Sequence, residues 1–292
     1  LMEKMNARED NYEICKIISY LVGMERLIKE MAKYDGVIVG DMPSHERNLI
    51  IKYCFGRHIR TYSVPKISDI LLRSSVDLNL FDSPLLLSRN NPGLSIEQEF
   101  VKRIVDIVGS LIAIVISVPF FLIIGLCIKL TDKGPVFYKQ VRLTRDGREF
   151  EIYKFRTMVQ DAEQDGIPRL AAEGDDRILP VGRLLRATRL DELPQIYNIL
   201  KGEMSIVGPR PERPEFAEEL TKEIPEFPYR LQVKAGLTGY AQVYGKYNTT
   251  AYDKLKLDLT YIRNYSLLLD LKLIIMTPKI MLLKESTEGV KK

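Results

Sequence analysis

The chain has 292 residues, 46% of them hydrophobic, with a formal net charge of +4. That is enough apolar material for one large domain or two ordinary ones, so disorder is not expected, and the near balance of charge gives no ground for a general nucleic-acid binder. Cys15, Cys54 and Cys127 have neither metal-ligand nor disulfide spacing and read as packing residues in a reducing cytosol. Both histidines, His45 and His58, lie in the first fifth of the chain, which excludes a Ser-His-Asp triad or a His-ligated zinc anywhere after it.

No secretory signal opens the sequence; Leu1 runs straight into charged residues, and the start is expected to be a fragment of a longer protein. Gly36 to Asp41 and Ile59 to Val64 have strand composition, and Ser44 to Phe55 between them reads as an amphipathic helix, the pattern of βαβ units in a parallel sheet. The turn Gly40-Asp-Met-Pro-Ser44 lacks the G-x-G-x-x-G spacing, so dinucleotide binding is not expected. Residues 1–90 therefore read as a partial, Rossmann-like α/β domain, and 91–103 as a linker announced by the polar stretch Ser88 to Gly93.

From Ile107 to Ile128 no side chain is charged for 22 residues, about 33 Å of helix against a bilayer core of ~30 Å. A membrane segment over 104–130 is expected, with a buried core helix as its competitor. Pro119 falls mid-run and removes a backbone hydrogen bond, while Ser117 can satisfy a freed carbonyl. Lys102 and Arg103 before the run and Lys129, Lys133, Lys139, Arg142 and Arg145 after it keep both ends cytoplasmic by the positive-inside rule. A re-entrant hairpin broken near Ser117 and Pro119 satisfies both observations.

Residues 131–285 carry the candidate chemistry. Pro135 to Lys139 and Phe150 to Arg156, joined by the polar turn Arg145-Asp-Gly147, suggest a hairpin whose second strand presents Lys154 and Arg156 on one face, either to grip a diphosphate or as a solvated basic face. Pro194 is tolerated only in a helix's first turn, so a helix is expected from Leu190 or Asp191, with Asp191 and Glu192 at its N-terminus and a stop at Gly202. Such a terminus suits phosphate, with Mg²⁺ between phosphate and carboxylates; one carboxylate would hold the metal while the other attacks phosphorus. The alternative is that Asp191 merely caps the helix. After the strand-like Met204 to Val207, three prolines between Gly208 and Pro214 stiffen a turn that would hold Arg210 for bidentate phosphate contact, or form a rigid surface turn. Gly236 to Gly245 offers glycines where backbone can approach a ligand. Leu255 to Leu283, interrupted at Pro278, reads as amphipathic helices that either pack on the domain or lie in the headgroup layer.

The ordered set resembles one family: the proline-broken membrane helix, Lys-Phe-Arg-Thr-Met from Lys154, Leu-Asp-Glu-Leu-Pro-Gln from Leu190, Gly-Pro-Arg-Pro from Gly208, and Gly-Leu-Thr-Gly-Tyr-Ala-Gln from Gly236. Over about Glu99 to Leu283 it resembles the bacterial sugar transferases, the monotopic polyprenyl-phosphate phosphoglycosyl transferases. The resemblance implies an enzyme of the bacterial cytoplasmic membrane, its catalytic domain on the cytoplasmic face, that moves a hexose-1-phosphate from a UDP-sugar to undecaprenyl phosphate and releases UMP. It implies Asp191 as nucleophile of a covalent phosphosugar intermediate, Glu192 as its partner at Mg²⁺, and Lys154, Arg156, Arg186 and Arg210 as basic residues around the diphosphate. Many members have Ser-Pro where this chain has Ser117-Val118-Pro119. Long members, which start capsule, exopolysaccharide or O-antigen synthesis, place several transmembrane helices before a nucleotide-binding-like α/β domain whose second half the N-terminal piece resembles; with no catalytic set of its own, that piece is expected to serve dimerisation or regulation. A transferase that releases UDP and a membrane-tethered scaffold are the competing readings.

Overall fold

The computed structural model describes residues 13–73, 75–80, 83–87, 94–160, 162, 175–246 and 249–281, and the chain divides into two units between Lys66 and Ile67. In the first unit, short β-branched runs alternate with helices: α1 (Met24–Met31), β1 (Gly36–Val39), α2 (Ser44–Gly56) and β2 (Arg60–Ser63). The strands pair in parallel with Gly36 opposite Arg60, as the βαβ pattern requires. Leu27, Met31, Val39, Ile50 and Cys54 form its core. Cys54 thus packs as expected, whereas Cys15 is exposed.

The second unit begins with α3 (Ile67–Leu72) and the antiparallel hairpin β3 (Val76–Leu80) and β4 (Ser83–Leu87). The linker signal at Ser88 to Gly93 lies outside the described residues. Next comes α4 (Ile96–Asp132). It starts before the expected 104 because Ser95 and Gln98 form a capping box: the Gln98 N–H donates to Ser95 Oγ, and the Ser95 N–H donates to Gln98 Oε1. Residues 96–103, expected as linker, are therefore helical. The helix runs through Pro119, with Ser117 Oγ donating to the Ile114 carbonyl at 3.0 Å.

Lys102, Asp106, Ser110, Ser117, Ile124 and Ile128 are buried on α4, and their spacing of four and seven residues puts them on one face. The remaining surface exposes Leu111, Val115, Ile116, Leu122, Ile123 and Leu126. Only 17% of the most apolar window of this helix, which is long enough to cross a membrane, is covered by protein. A surface of this kind is suited to lipid.

The antiparallel pair β5 (Phe137–Leu143) and β6 (Glu149–Phe155) follows, with Tyr138 opposite Lys154. Then come α5 (Pro180–Thr188), α6 (Gln195–Lys201), β7 (Met204–Val207), α7 (Pro214–Glu223) and β8 (Ala235–Thr238), which pairs in parallel with β7. The helices α8 (Tyr240–Tyr244), α9 (Ala251–Arg263) and α10 (Leu267–Met281) close the unit. The break in the last stretch lies at 264–266, not at Pro278. Asn264 Nδ2 donates back to the Thr260 carbonyl, and Ser266 Oγ accepts from the Leu269 N–H, so one helix is closed and the next opened there. Leu273 on α10 is fully buried in the core built by α9 and Val207, while Leu268, Leu271 and Ile275 point outward. The helix therefore packs on the domain and also presents a bare apolar face.

Two glycines let the end of β7 and the start of β8 approach closely. A Cβ on Gly236 would lie 2.1 Å from Gly208 N and 2.5 Å from Gly208 Cα, against backbone that cannot swing away. Gly236→Ala is expected to destabilise the second unit by about 1–3 kcal/mol, read as a lower midpoint in thermal unfolding; an unchanged midpoint would contradict this packing.

Candidate active site

The acid pair is placed by a break between two helices. Arg189 ends α5 in the left-handed region at φ 54°, a conformation that non-glycine residues adopt rarely. Residues Leu190–Glu192 then form one 3₁₀ turn, with the Glu192 N–H donating to the Arg189 carbonyl and the Leu193 N–H to the Leu190 carbonyl, each at 3.2 Å. Pro194 has no N–H to continue the ladder. The α-helix therefore begins at Gln195, after the dyad, and not at Leu190 or Asp191 as the proline alone suggested. The stop at Gly202, at φ 86°, is where the sequence placed it.

Both carboxylates are buried, at 9% and 8% residual exposure, yet their surroundings differ. Glu192 Oε1 accepts from Lys154 Nζ at 3.0 Å and from Arg210 Nη2 at 2.7 Å, and Oε2 has a longer contact of 3.4 Å to Arg210 Nη1. Burial alone would raise the Glu192 carboxyl, but the Arg210 and Lys154 charges outweigh it and hold the group below the usual glutamate range. Asp191 has no hydrogen bond or ion pair among the described residues; burial pushes its carboxyl above the usual aspartate range, the negative charge of Glu192 adds to that, and Lys154, Arg210 and Arg186 oppose it. One carboxylate is thus committed and its neighbour is open to a ligand.

Each cation has its own support. Asn198, fully buried on α6, accepts from the Tyr153 N–H at 3.0 Å and donates to the Glu151 carbonyl at 2.7 Å. It thereby ties the strand that carries Lys154 to the helix that follows the dyad. The Arg210 turn is held from behind by Arg230, which donates to the Arg210 carbonyl at 3.0 Å and forms a buried ion pair with Asp258 at 2.8 Å. Arg142 donates to the Pro211 carbonyl, and the Gly208 N–H to the Thr238 carbonyl. The Arg210 side chain keeps 45% exposure, so the site opens toward solvent on that side.

Of the residues expected in the site, Asp191, Glu192, Lys154 and Arg210 converge. Arg186 bonds Thr157 Oγ1 through Nε at 2.9 Å and acts on Asp191 by its charge. Arg156 lies just past the end of β6 and pairs with Asp132 at the close of α4, at 2.6 Å, instead of sharing a partner with Lys154. Its Nε and Nη2 are buried without a hydrogen-bond partner among the described residues. Asn198, Arg230 and Asp258 are not anticipated from the sequence; the one available signal is Asp258, a polar residue on the otherwise apolar buried face of α9.

No group of three or more His, Cys, Asp or Glu side chains placed to hold a metal ion occurs among the described residues. A divalent ion at this site would thus rest on the acid pair and on oxygens brought by the substrate. Mg²⁺ is commonly bound in that manner, through one or two carboxylates and phosphate, and the open Asp191 and the weakly engaged Glu192 Oε2 fit it.

Residues 97–284 match the model of the bacterial sugar transferase family. The chain is 38% identical to a UDP-N-acetylgalactosamine-undecaprenyl-phosphate N-acetylgalactosaminephosphotransferase of Aeromonas hydrophila, over 84% of this chain and 58% of that protein. It is 34% identical to a UDP-glucose:undecaprenyl-phosphate glucose-1-phosphate transferase of Klebsiella pneumoniae, over 87% and 54%. A protein of the same description from Caulobacter vibrioides is 38% identical over 69% and 77%. The chain spans a little more than half the length of the first two.

The two carboxylates should respond oppositely to neutralisation. A carboxyl raised on folding costs stability once pH exceeds its unfolded value, about 4, so Asp191→Asn is expected to stabilise the fold at neutral pH by about 0.5–2 kcal/mol, the gap closing in acid. Glu192, held low, contributes stability above the ordinary glutamate range and loses it on acidification. Glu192→Gln should cost about 1.5–3 kcal/mol at neutral pH. Denaturant titrations of the three proteins across pH test both signs.

Proposed function

Because the chain belongs to the bacterial sugar transferase family, we propose that it transfers a hexose-1-phosphate from a UDP-sugar to undecaprenyl phosphate at the cytoplasmic face of the inner membrane, starting a cell-surface polysaccharide. The observation that carries the reading is the asymmetry of the acid pair: Glu192 locked by Lys154 and Arg210, Asp191 buried beside it with its oxygens uncommitted.

In the proposed first step an Asp191 carboxylate oxygen attacks the β-phosphorus of the UDP-sugar. The bond from that phosphorus to the bridging oxygen breaks, UMP leaves with the electron pair, and an aspartyl-phosphosugar forms. In the second, an oxygen of undecaprenyl phosphate attacks the same phosphorus and returns the carboxylate to Asp191. Arg210, partly exposed at the mouth of the site, and Lys154 are suited to neutralise charge that builds on the diphosphate. In this reading Arg186, which acts on Asp191 by its charge, and Arg156, which has two buried donors without a partner among the described residues, add positive charge to the site. Mg²⁺, held by Glu192 with Asp191 adjacent, would supply further charge neutralisation at the diphosphate.

The membrane segment in this reading is re-entrant. Its first part, at Lys102 and Asp106, and its last, at Ile124, Ile128 and Asp132, both pack on the same unit. A straight passage through a ~30 Å core would leave one end on the far side, away from that unit. The bare apolar face of α10 would lie in the same lipid surface.

With protein in nanodiscs, undecaprenyl phosphate, Mg²⁺ and a panel of UDP-sugars, UMP is expected as the released nucleotide. Asp191→Asn should lower the rate by at least about 10³-fold. Release of UDP, or full activity of the variant, would refute phosphosugar transfer through Asp191. In a background free of the native cysteines, single cysteines at Ser95 and Lys133 should both be modified from the cytoplasmic side by an impermeant reagent. Reaction of either from the outside would sink the re-entrant arrangement.

A further inference from the structure

The first part of α4 does more than connect the protein to lipid. Three of its side chains hold the elements next to the site: Arg103 holds α6, Asp106 holds β7 directly, and Lys102 reaches the end of β7 through Tyr261. Arg103 donates to the carbonyls of Ile199 and Leu200, at 2.7 and 2.6 Å, and so closes the end of α6, the helix that follows the acid pair. Asp106, buried, accepts through Oδ1 from Ser205 Oγ at 3.0 Å and from the Ile206 N–H at 2.9 Å, both on β7, the strand that leads into the Arg210 turn. Lys102 forms a buried ion pair with Asp270 at 2.6 Å and reaches the Tyr261 hydroxyl at 3.3 Å; that hydroxyl donates to Asp270 Oδ1 at 2.8 Å and lies 3.3 Å from the Val207 carbonyl, again the end of β7. One turn beyond Asp106, a Cβ on Gly109 would come within 2.7 Å of Ile206 Cδ1, so the Ile206 side chain of β7 packs directly on the helix backbone.

The dyad immediately precedes α6 and Arg210 follows β7, and the same short stretch of α4 holds both of these elements. From this we propose that Arg103 and Asp106 are positioning residues for the transfer reaction: they set the end of β7 against α6 so that Arg210 meets Glu192, and the membrane helix is thereby part of the scaffold of the site. Asp106 carries the sharper test because one oxygen makes both of its contacts to β7. A misplacement of about 1 Å at a reacting centre costs on the order of 10²-fold in rate. The proposal rests on the transferase reading only for its kinetic arm.

The experiment compares the full chain with Asp106→Ala and Asp106→Asn in nanodiscs, by steady-state turnover of whichever UDP-sugar the unaltered protein uses and by amide hydrogen exchange. Asn keeps Oδ1 as acceptor for both contacts. The expected result for Asp106→Ala is a 10- to 100-fold loss of kcat with faster exchange over 204–213 and unaltered exchange over 251–263, and for Asp106→Asn a return to within about threefold of the native kcat. A native kcat for Asp106→Ala, unchanged exchange over 204–213, or an Asn variant as impaired as Ala would each overturn the proposal. Absence of turnover by the unaltered protein would count against the functional reading alone, and the exchange comparison would still decide whether Asp106 holds the Arg210 segment.

Discussion

A buried carboxylate shared by two cations is the constraint around which the second unit is organised. Glu192 can be ionised at 8% exposure only because Lys154 and Arg210 are both within hydrogen-bond distance. Those cations come from a strand 38 residues earlier and a turn 18 residues later. Three separate pieces of chain must therefore meet within a few ångströms. The rest of the architecture secures that meeting: the Asn198 amide fixes the strand, Arg230 and its Asp258 partner brace the turn, and Gly208 and Gly236 allow β7 and β8 to close behind it.

The same economy of elements appears at the lipid-facing side. One face of α4 is polar from Lys102 to Ser117 and apolar at Ile124 and Ile128, and that single stripe meets β7 and α6 early and Phe155 and Leu185 late. The opposite surface, with the outward leucines of α10, has no protein cover among the described residues. Apolar residues of these helices thus serve two solvents, core and lipid, and which one each meets is decided by its position around the helix.

Much of this was legible in local sequence. The β5–β6 hairpin followed from alternation around a polar turn, β7 from a short apolar run, the end of α6 from Gly202, and the long helix from 22 uncharged residues. The Ser95–Gln98 capping box is also a local pattern, and it moves the start of α4 eleven residues ahead of the uncharged stretch that begins at Ile107. What local pattern does not contain is pairing at a distance. Lys154 and Arg156 look equivalent two residues apart, but one ends at Glu192 and the other at Asp132 because the strand stops between them. The left-handed Arg189 carries no glycine or asparagine signature, so the 3₁₀ turn under the dyad is invisible in the sequence, and Pro194 points to a helix start one turn too early. Asn198 and Arg230 act through backbone groups 45 to 47 and 20 residues away, where composition says nothing about a partner.

The Lys102–Asp270 pair bears on how the chain reaches this state. Its members are 168 residues apart, and the Asp106 contacts to β7 span about 100. Synthesis delivers α4 before β7 and long before α10, so Asp106 and Lys102 lack these partners while the intervening part of the second unit is made. Contacts of that separation carry the loop-closure entropy that slows folding. A long apolar helix with a row of unsatisfied polar groups is prone to aggregate in water during that interval. Early lodging of α4 in a bilayer would shield its bare side and leave the polar stripe to be covered last, and the lipid surface would then act as a folding template.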